Sequence, residues 1–182
     1  MRETIAELKD MGMPHATMET EFDAIPKEQL SETGIDAVAF LLSANRGEPV
    51  KPLIKVASGG EMSRIMLAMK AALSDADRIE TLIFDEIDTG ISGMVANAVA
   101  EKMRALGRKH QVLCVTHLPQ IAAHADAQYV AYKFSDAEKT HSVTRRLIDA
   151  ERAKEIARIM GSDENDAAAM EHAKQLLESA KV

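Results

Sequence analysis

Two short apolar segments joined by a helical pattern constrain the fold of this chain most strongly. Residues 81–84 read Thr-Leu-Ile-Phe and run into an acidic pair, and residues 111–115 run into a Thr-His pair. Between them, apolar residues recur at the helical period until Gly107. A strand–helix–strand unit closes as two parallel strands with their carboxyl ends at one edge. The sequence therefore predicts an α/β core with two buried parallel strands and polar groups at their tips.

The rest of the chain adds helices and antiparallel strands to this unit. Apolar periodicity predicts helices over 1–11, 58–73, 118–124, 153–160 and 167–177, and strands over 16–22, 36–43, 128–133 and 141–147. Ser162 or Asp163 is the expected cap of the last helix. We expect a mostly parallel sheet flanked by helices, with some antiparallel strands. Residues 1–12 are predicted to form the end of a coiled-coil or linker helix, and 13–182 one lobe of a larger domain.

Composition excludes several classes of function. The net charge of -7 argues against a main nucleic-acid surface, which is usually basic. Arg108-Lys109-His110 and Arg145-Arg146 are local basic clusters that we interpret as solvated surface charge. Aromatic residues make up 3% of the chain, which disfavours recognition of single strands by stacking. The single cysteine and the lack of a long apolar run predict an intracellular protein, without a membrane span.

Residues 58–61, Ser-Gly-Gly-Glu, open a predicted helix and are the first candidate site. Two adjacent glycines leave backbone N–H groups uncovered at a helix N-terminus, where an anion is favoured. Ser58 adds a hydroxyl donor. Ser58 and Glu61 also have the spacing of a capping box, so a purely structural role remains open.

The acidic pair Asp85-Glu86 is the second candidate, because α/β proteins bind ligands at the carboxyl edge of the sheet. Asp85 could hold magnesium, and Glu86 could orient or deprotonate a water molecule. A strand that simply enters a polar loop is the alternative. His117 is the third candidate, since a histidine at a strand tip could hydrogen-bond a phosphate or a water. A histidine with an ordinary structural role is the alternative.

The order and spacing of these three segments resemble the C-terminal part of an ABC-type ATPase. About two dozen residues separate the Ser-Gly-Gly-Glu helix start from Asp85-Glu86, and about thirty more lead to His117. Residues 55–68, 84–93 and 116–123 are very similar to the corresponding segments of the RecN family, whose members resemble the chromosome-maintenance (SMC) ATPases. Ile87 follows the Asp-Glu pair as in RecN, whereas Arg46 stands where the family pattern has proline. The resemblance covers about residues 8 to 160.

The resemblance implies the C-terminal half of an ABC/SMC-type P-loop ATPase head, acting with ATP and Mg²⁺ in bacterial double-strand-break repair. It implies that Ser58, Gly59, Gly60 and Glu61 contact the γ-phosphate of ATP held by a second head. Asp85 would serve magnesium, Glu86 would be the catalytic base, and His117 would sense the γ-phosphate. Gly90–Gly93 would occupy the position of the D-loop. The implied partners are an N-terminal half, a second head in an ATP-dependent dimer, and DNA through the full-length protein; the implied location is the bacterial cytoplasm at the nucleoid.

One element of such a head is absent from the sequence. No G-x-x-x-x-G-K-[ST] phosphate loop (Walker A) occurs in the 182 residues. We therefore expect the chain by itself to lack ATPase activity and to expose apolar surface that promotes self-association. Two further functions remain open: an ATP-gated clamp that tethers DNA with little turnover, and a dimerisation module that uses nucleotide only as a bridge.

Overall fold

The computed structural model describes residues 1–26, 28, 34–55, 58–73, 79–136, 139–162 and 165–181. Its helices are α1 (Arg2–Asp10), α2 (Gly59–Leu73), α3 (Gly93–Gly107), α4 (Pro119–Ala123), α5 (Asp149–Ile159) and α6 (Ala167–Ser179). Its strands are β1 (Thr17–Ala24), β2 (Asp36–Ser43), β3 (Lys51–Pro52), β4 (Thr81–Phe84), β5 (Gln111–Cys114), β6 (Tyr129–Ser135) and β7 (Thr140–Arg146). A short 3-10 turn, Leu53–Lys55, leads toward α2. Residues 56 and 57 of the RecN-like segment 55–68 lie outside the described residues.

The strands form three small sheets. β4 and β5 pair in parallel from Thr81 opposite Gln111 to Phe84 opposite Cys114. β1, β2 and β3 form an antiparallel sheet, and β6 pairs with β7 as an antiparallel hairpin. The mixed α/β class is confirmed, and among the described strands antiparallel pairs outnumber the parallel pair, contrary to the sheet composition predicted from the sequence.

The main core lies under β4 and β5 and is built from large side chains. Leu8 of α1, Ile65 and Leu67 of α2, and Val99 of α3 are fully buried in it. A second cluster between α4, α5 and α6 consists mainly of alanines around Ile156. The first helix belongs to the main core, and Lys102 of α3 holds it in place through ion pairs with Glu7 and Asp10 at 2.6 and 3.5 Å. The hydrogen bond that Lys102 donates to Glu7 is the main cause of the raised pKa of Lys102.

The sequence predicted that β4 is a buried strand, but in the structure only one face of β4 is buried. Leu82 and Phe84 face the core, whereas the side chain of Ile83 is 70% exposed. Leu113 and Val115 are exposed beside it, so the two parallel strands present an apolar strip on their outer face. The absence of a phosphate loop from the sequence led us to expect exposed apolar surface, and this strip is such a surface.

The cap of the last helix also differs from the prediction. Asp166, rather than Ser162, accepts hydrogen bonds from the backbone N–H groups of Ala168 and Ala169 at 3.0 and 3.1 Å. Asp163, the other candidate, lies outside the described residues. A carboxylate immediately before the first turn reaches these N–H groups, and Ser162 is too far back along the chain to do so. In the described parts of the chain, no helix combines the length and the apolar character needed to cross a bilayer.

Candidate functional site

The loop after β4 connects all three candidate segments. Glu86 is the only non-glycine residue in the described chain with a positive φ, +57°, a conformation that costs about 1–3 kcal/mol. Two local hydrogen bonds hold this shape: the Glu86 N–H donates to Asp85 Oδ1 at 2.9 Å, and the Thr89 N–H donates to the Glu86 carbonyl at 3.0 Å. The loop therefore turns sharply at Glu86 and leaves the side chains of Asp85 and Glu86 exposed at the end of β4.

The start of α2 forms the capping box that the sequence allowed. The Ser58 N–H donates to Glu61 Oε2 at 3.3 Å, and the Glu61 N–H donates to Ser58 Oγ at 3.4 Å. These are long hydrogen bonds, so they stabilise the helix start weakly. Ser58 and Gly59 are exposed, and the first N–H groups of a helix have no partner within the helix. The structural role of Ser58 and Glu61 is thus present, and Ser58 and Gly59 remain exposed at the helix start.

The two glycines allow α2 to approach the loop after β4. A Cβ atom at Gly60 would lie 2.7 Å from the Thr89 carbonyl oxygen and 3.0 Å from that of Glu86. A Cβ atom at Gly59 would lie 2.1 Å from Glu86 Oε2, so the Glu86 carboxylate rests against the helix start. Gly60 is therefore required by backbone packing, whereas Gly59 makes room for the end of a flexible side chain.

Two side chains of α2 fix the loop from the helix side. Ser63 Oγ donates to the Asp85 carbonyl at 2.7 Å. Arg64 is buried, and its Nη1 donates to the carbonyls of Ile87 at 3.2 Å and Thr89 at 2.9 Å. Burial lowers the pKa of the Arg64 guanidinium, and the nearby Glu61 opposes that effect. Because Arg64 holds backbone oxygens on both sides of Asp88, the loop and the start of α2 form one rigid unit.

Asp88 ties the same loop to the end of β5. Its Oδ2 accepts hydrogen bonds from Thr116 Oγ1 at 2.6 Å and from the His117 N–H at 2.8 Å. The His117 ring nitrogen Nδ1 lies 3.0 Å from the same oxygen. The structure therefore places the third candidate segment at the same edge as the first two, joined by direct contacts along the loop.

The environment of this edge is acidic and partly desolvated. Burial, followed by the charges of Asp88 and Asp85, raises the pKa of the Cys114 thiol to about 12. The structure brings together no group of three or more metal-ligating side chains within the described residues. Asp85 is exposed, and one of its carboxylate oxygens accepts only a local N–H. Magnesium suits such a single carboxylate when phosphates and water supply its other ligands, so the donor set fits Mg²⁺ only together with a nucleotide.

Sequence reasoning found the exposed residues of this site and missed the residues that hold them. Asp85, Glu86 and His117 lie at one edge, as the parallel strands predicted, and the helix start at Ser58–Glu61 packs against the same loop. The sequence assigned no role to Ser63, Arg64, Asp88 or Thr116. Asp88, a further acidic residue just after Asp85-Glu86, could have been identified in the sequence as a candidate. Only its burial in the tertiary structure, however, distinguishes Asp88 from a surface charge.

Comparison with known proteins supports the family resemblance by sequence. No protein-family model matches the chain. The chain is 47% identical over 163 residues to the DNA repair protein RecN of Treponema pallidum, covering 90% of this chain and 28% of that protein. It is 44% identical to RecN of Bacillus subtilis, with coverage of 96% and 32%, and 44% identical to RecN of Deinococcus radiodurans, with coverage of 95% and 30%. The chain thus spans about a third of the length of these relatives.

Solved structures show a related fold. The Smc head domain with a coiled coil and joint from Pyrococcus yayanosii matches all of this chain and 29% of its own, with a TM-score of 0.55 and 19% identity. The Smc head domain of Pyrococcus furiosus bound to the C-terminal domain of ScpA matches 88% of this chain and 37% of its own, with a TM-score of 0.53 and 19% identity. Taken together, the sequence matches and the shared fold establish that this chain belongs to the RecN family of DNA repair proteins, as a C-terminal part with the fold of an SMC-type head.

Proposed function

We propose that this chain is the C-terminal half of an ATP-binding and ATP-hydrolysing head that acts in bacterial DNA double-strand-break repair and recombination. The meeting of Asp85, Glu86 and His117 at one edge, with the start of α2 packed against their loop, carries the proposal. Ser63 and Arg64 join the start of α2 to the loop of Asp85 and Glu86, and Asp88 joins that loop to His117. A structural role for each motif alone would not require them to meet.

The exposed start of α2 supports a role toward a second head. Ser58 and Gly59 face solvent, while Gly60 is buried against the loop after β4. The exposed backbone at Gly59 and the positive end of the helix dipole suit a phosphate that arrives from outside the chain. Ser58, Gly59, Gly60 and Glu61 are therefore proposed to contact the γ-phosphate of ATP bound by the opposite head.

The strand tips supply the chemistry in this proposal. Mg–ATP, when bound, provides the phosphoryl group and a cation that neutralises charge on the phosphates. Asp85 is the proposed magnesium ligand. Glu86 accepts the proton of the attacking water on its carboxylate, and His117 donates a hydrogen bond from its exposed ring toward the γ-phosphate.

The apolar strip of β4 and β5 supports an N-terminal half as the partner that completes the head. Ile83, Leu113 and Val115 are exposed, and a hollow of about 200 Å³ lies between α2 and β4 beside Ile83. Within the described residues, β4 pairs with β5 only. Apolar side chains and an open strand edge favour packing of further strands and helices here. We also propose that the complete protein contacts DNA and works in the bacterial cytoplasm at the nucleoid.

Complementation between two inactive full-length variants tests the proposal. Ser58→Arg places a bulky cation at the helix start and is expected to bind ATP without forming the nucleotide-dependent dimer. A phosphate-loop lysine variant is expected to bind ATP poorly. In a mixed dimer both defects fall into one site and the other site is whole, so the mixture should recover part of the hydrolysis rate.

Ser135→Arg, on the exposed hairpin end, should dimerise and hydrolyse ATP like the wild type. Wild-type dimerisation and turnover in Ser58→Arg would show that Ser58 serves only as a helix cap. Dimers that form with ATP but never hydrolyse it in the wild-type protein would favour the ATP-gated clamp or the dimerisation module instead.

A further inference from the structure

The carboxylate of Asp88 is buried in the protein interior. Its side chain is 3% exposed, whereas the ring of His117 that it contacts is 74% exposed. Removing a carboxylate from water is costly unless hydrogen-bond donors replace the water. Asp88 is on the loop of Glu86 but points inward, so its burial needs a reason beyond the exposed chemistry of that loop.

Three donors converge on one oxygen of this carboxylate. Thr116 Oγ1, the His117 backbone N–H and the His117 ring Nδ1 lie 2.6, 2.8 and 3.0 Å from Asp88 Oδ2. The hydroxyl of Thr116 also accepts a hydrogen bond from the Leu118 N–H at 3.0 Å, which fixes the turn after β5. The backbone and the ring of His117 are therefore both held by the same atom.

We infer that Asp88 is a positioning residue that fixes the ring orientation and tautomer of His117, an inference that rests on the proposed function of His117. A carboxylate oxygen can only accept, so the contact requires the proton on Nδ1. The other ring nitrogen, Nε2, then points away from the protein. There it accepts a hydrogen bond from a water in the neutral ring, and it donates one to a phosphate when the ring carries both protons. If the ring turned over, Asp88 Oδ2 would lose one of its three donors in the protein interior.

The same contact sets His117 in register with Glu86. Arg64 holds the carbonyls of Ile87 and Thr89 on either side of Asp88. A shift of the start of α2 would therefore move Glu86 and, through Asp88, His117 together. Asp88 acts on the reaction through His117, and it does not itself reach the exposed edge.

A double-variant cycle in the full-length protein tests this inference. Asp88→Ala should lower kcat for ATP hydrolysis by about 10–100-fold, the usual effect of losing a partner that orients a functional histidine. KM for ATP should change much less, because the phosphate loop binds most of the nucleotide. Asp88→Asn keeps an acceptor oxygen in place and should restore most of the loss. In a His117→Ala background, neither change should lower kcat further.

Nitrogen NMR of the labelled His117 ring gives a readout that does not depend on turnover. The wild type should show the proton on Nδ1, and Asp88→Ala should lose that preference. Asp136→Asn is the matched control, because Asp136 and His141 form a second Asp–His contact at 2.9 Å in the exposed hairpin. It should leave both kcat and the His117 signals unchanged.

The outcomes separate this inference from the proposed function. Equal losses of kcat from Asp88→Ala with and without His117 would overturn the positioning role, as would an unchanged His117 tautomer in that variant. Wild-type turnover in His117→Ala would instead remove His117 from the proposed function, while the NMR result would still decide whether Asp88 sets its tautomer.

Discussion

The carboxyl edge of β4 and β5 and the β6–β7 hairpin each contain an Asp–His pair, and the two pairs differ in burial rather than in distance. His117 lies 3.0 Å from Asp88, and His141 lies 2.9 Å from Asp136. Asp88 is almost fully buried and accepts two further hydrogen bonds, whereas the side chains of Asp136 and His141 are 54% and 45% exposed. Contact distance alone therefore does not distinguish a pair with a buried carboxylate from a surface pair, because water competes freely for the hydrogen bonds of the surface pair.

The two regions also differ in the size of their cavities. A functional site is usually expected in the larger cavity, but here the larger cavity lies away from the candidate site. The larger cavity, about 630 Å³, lies between the hairpin and α5 and is lined by Tyr132, Arg145, Glu155 and Arg158 among others. Its charges are paired locally: Arg145 with Glu151, and Arg158 with Glu155. The candidate site is an open edge instead. Under the proposed function, two heads and two halves of one head assemble the site together. Such a site does not need a cavity in any single part, so cavity size is a poor guide to it.

Removing the charge of Glu86 should have the largest effect of the changes that compare the two regions, and the effect is on the rate of ATP hydrolysis. In the full-length protein, Glu86→Gln should slow ATP hydrolysis by roughly 10²–10⁴-fold, the usual contribution of a positioned base, because the amide cannot accept a proton. ATP binding should persist, and the dimer should be trapped. Steady-state hydrolysis and light scattering with ATP measure the two effects. Glu155→Gln, in the hairpin cavity, is the matched control and should hydrolyse ATP at the wild-type rate.

Backbone packing provides the next largest contrast. Gly60→Ala places a methyl group 2.7 Å from the Thr89 carbonyl oxygen and should reduce the free energy of unfolding by about 1–3 kcal/mol. Gly107→Ala, at the end of α3, meets no atom within 4 Å and should increase it by about 0.4–1 kcal/mol. Urea denaturation followed by circular dichroism measures both. An unchanged midpoint in Gly60→Ala would mean that α2 and the loop after β4 are not in close contact.

Helix caps test whether Ser58 has a role beyond the fold. Asp166→Ala should cost about 1 kcal/mol of stability, and Ser58→Ala about 0.5 kcal/mol, because the hydrogen bonds of Ser58 are longer. Only Ser58→Ala should weaken ATP-dependent dimerisation, measured by analytical ultracentrifugation. If Asp166→Ala weakened dimerisation equally, the effect would follow from stability and not from the phosphate contact.

Breaking the surface ion pair of Arg145 and Glu151 should have the smallest effect, which is on the thermal midpoint. The hydrogen bond from Arg145 is the main cause of the lowered pKa of Glu151, whose ordinary value is 4.5. A lowered carboxyl pKa stabilises the fold above pH 4.5, and this contribution is lost as the pH falls through the folded-state pKa. Arg145→Gln should therefore lie slightly below the wild type in thermal midpoint at pH 7 and merge with it in acid. Added salt should reduce the difference, since both groups are exposed.

Much of this architecture could be predicted from local patterns. The helical periodicity of residues 58–73, the glycine after α1 and the apolar segments before Asp85 and Thr116 all predicted elements close to those observed. The strand at residues 111–115 ends one residue early, at Cys114, although the Val115 N–H still donates to the Phe84 carbonyl. Predictions that depended on neighbours were less accurate: Ile83 is exposed, and Asp166 caps α6. Burial depends on which surfaces meet, and a single segment does not contain that information.

The sequence by itself determined the α/β class, the three motifs, and the meeting of Asp85-Glu86 and His117 at one sheet edge, because parallel strands joined by a helix bring their carboxyl ends together. Only the tertiary structure decided how the motifs are joined. The left-handed turn at Glu86 directs Asp88 into the interior, where Thr116 and His117 satisfy its charge, and Arg64 crosses from α2 to hold the same loop. These contacts link residues more than twenty positions apart, and each depends on excluding water from a carboxylate or a guanidinium, which happens only when the elements pack.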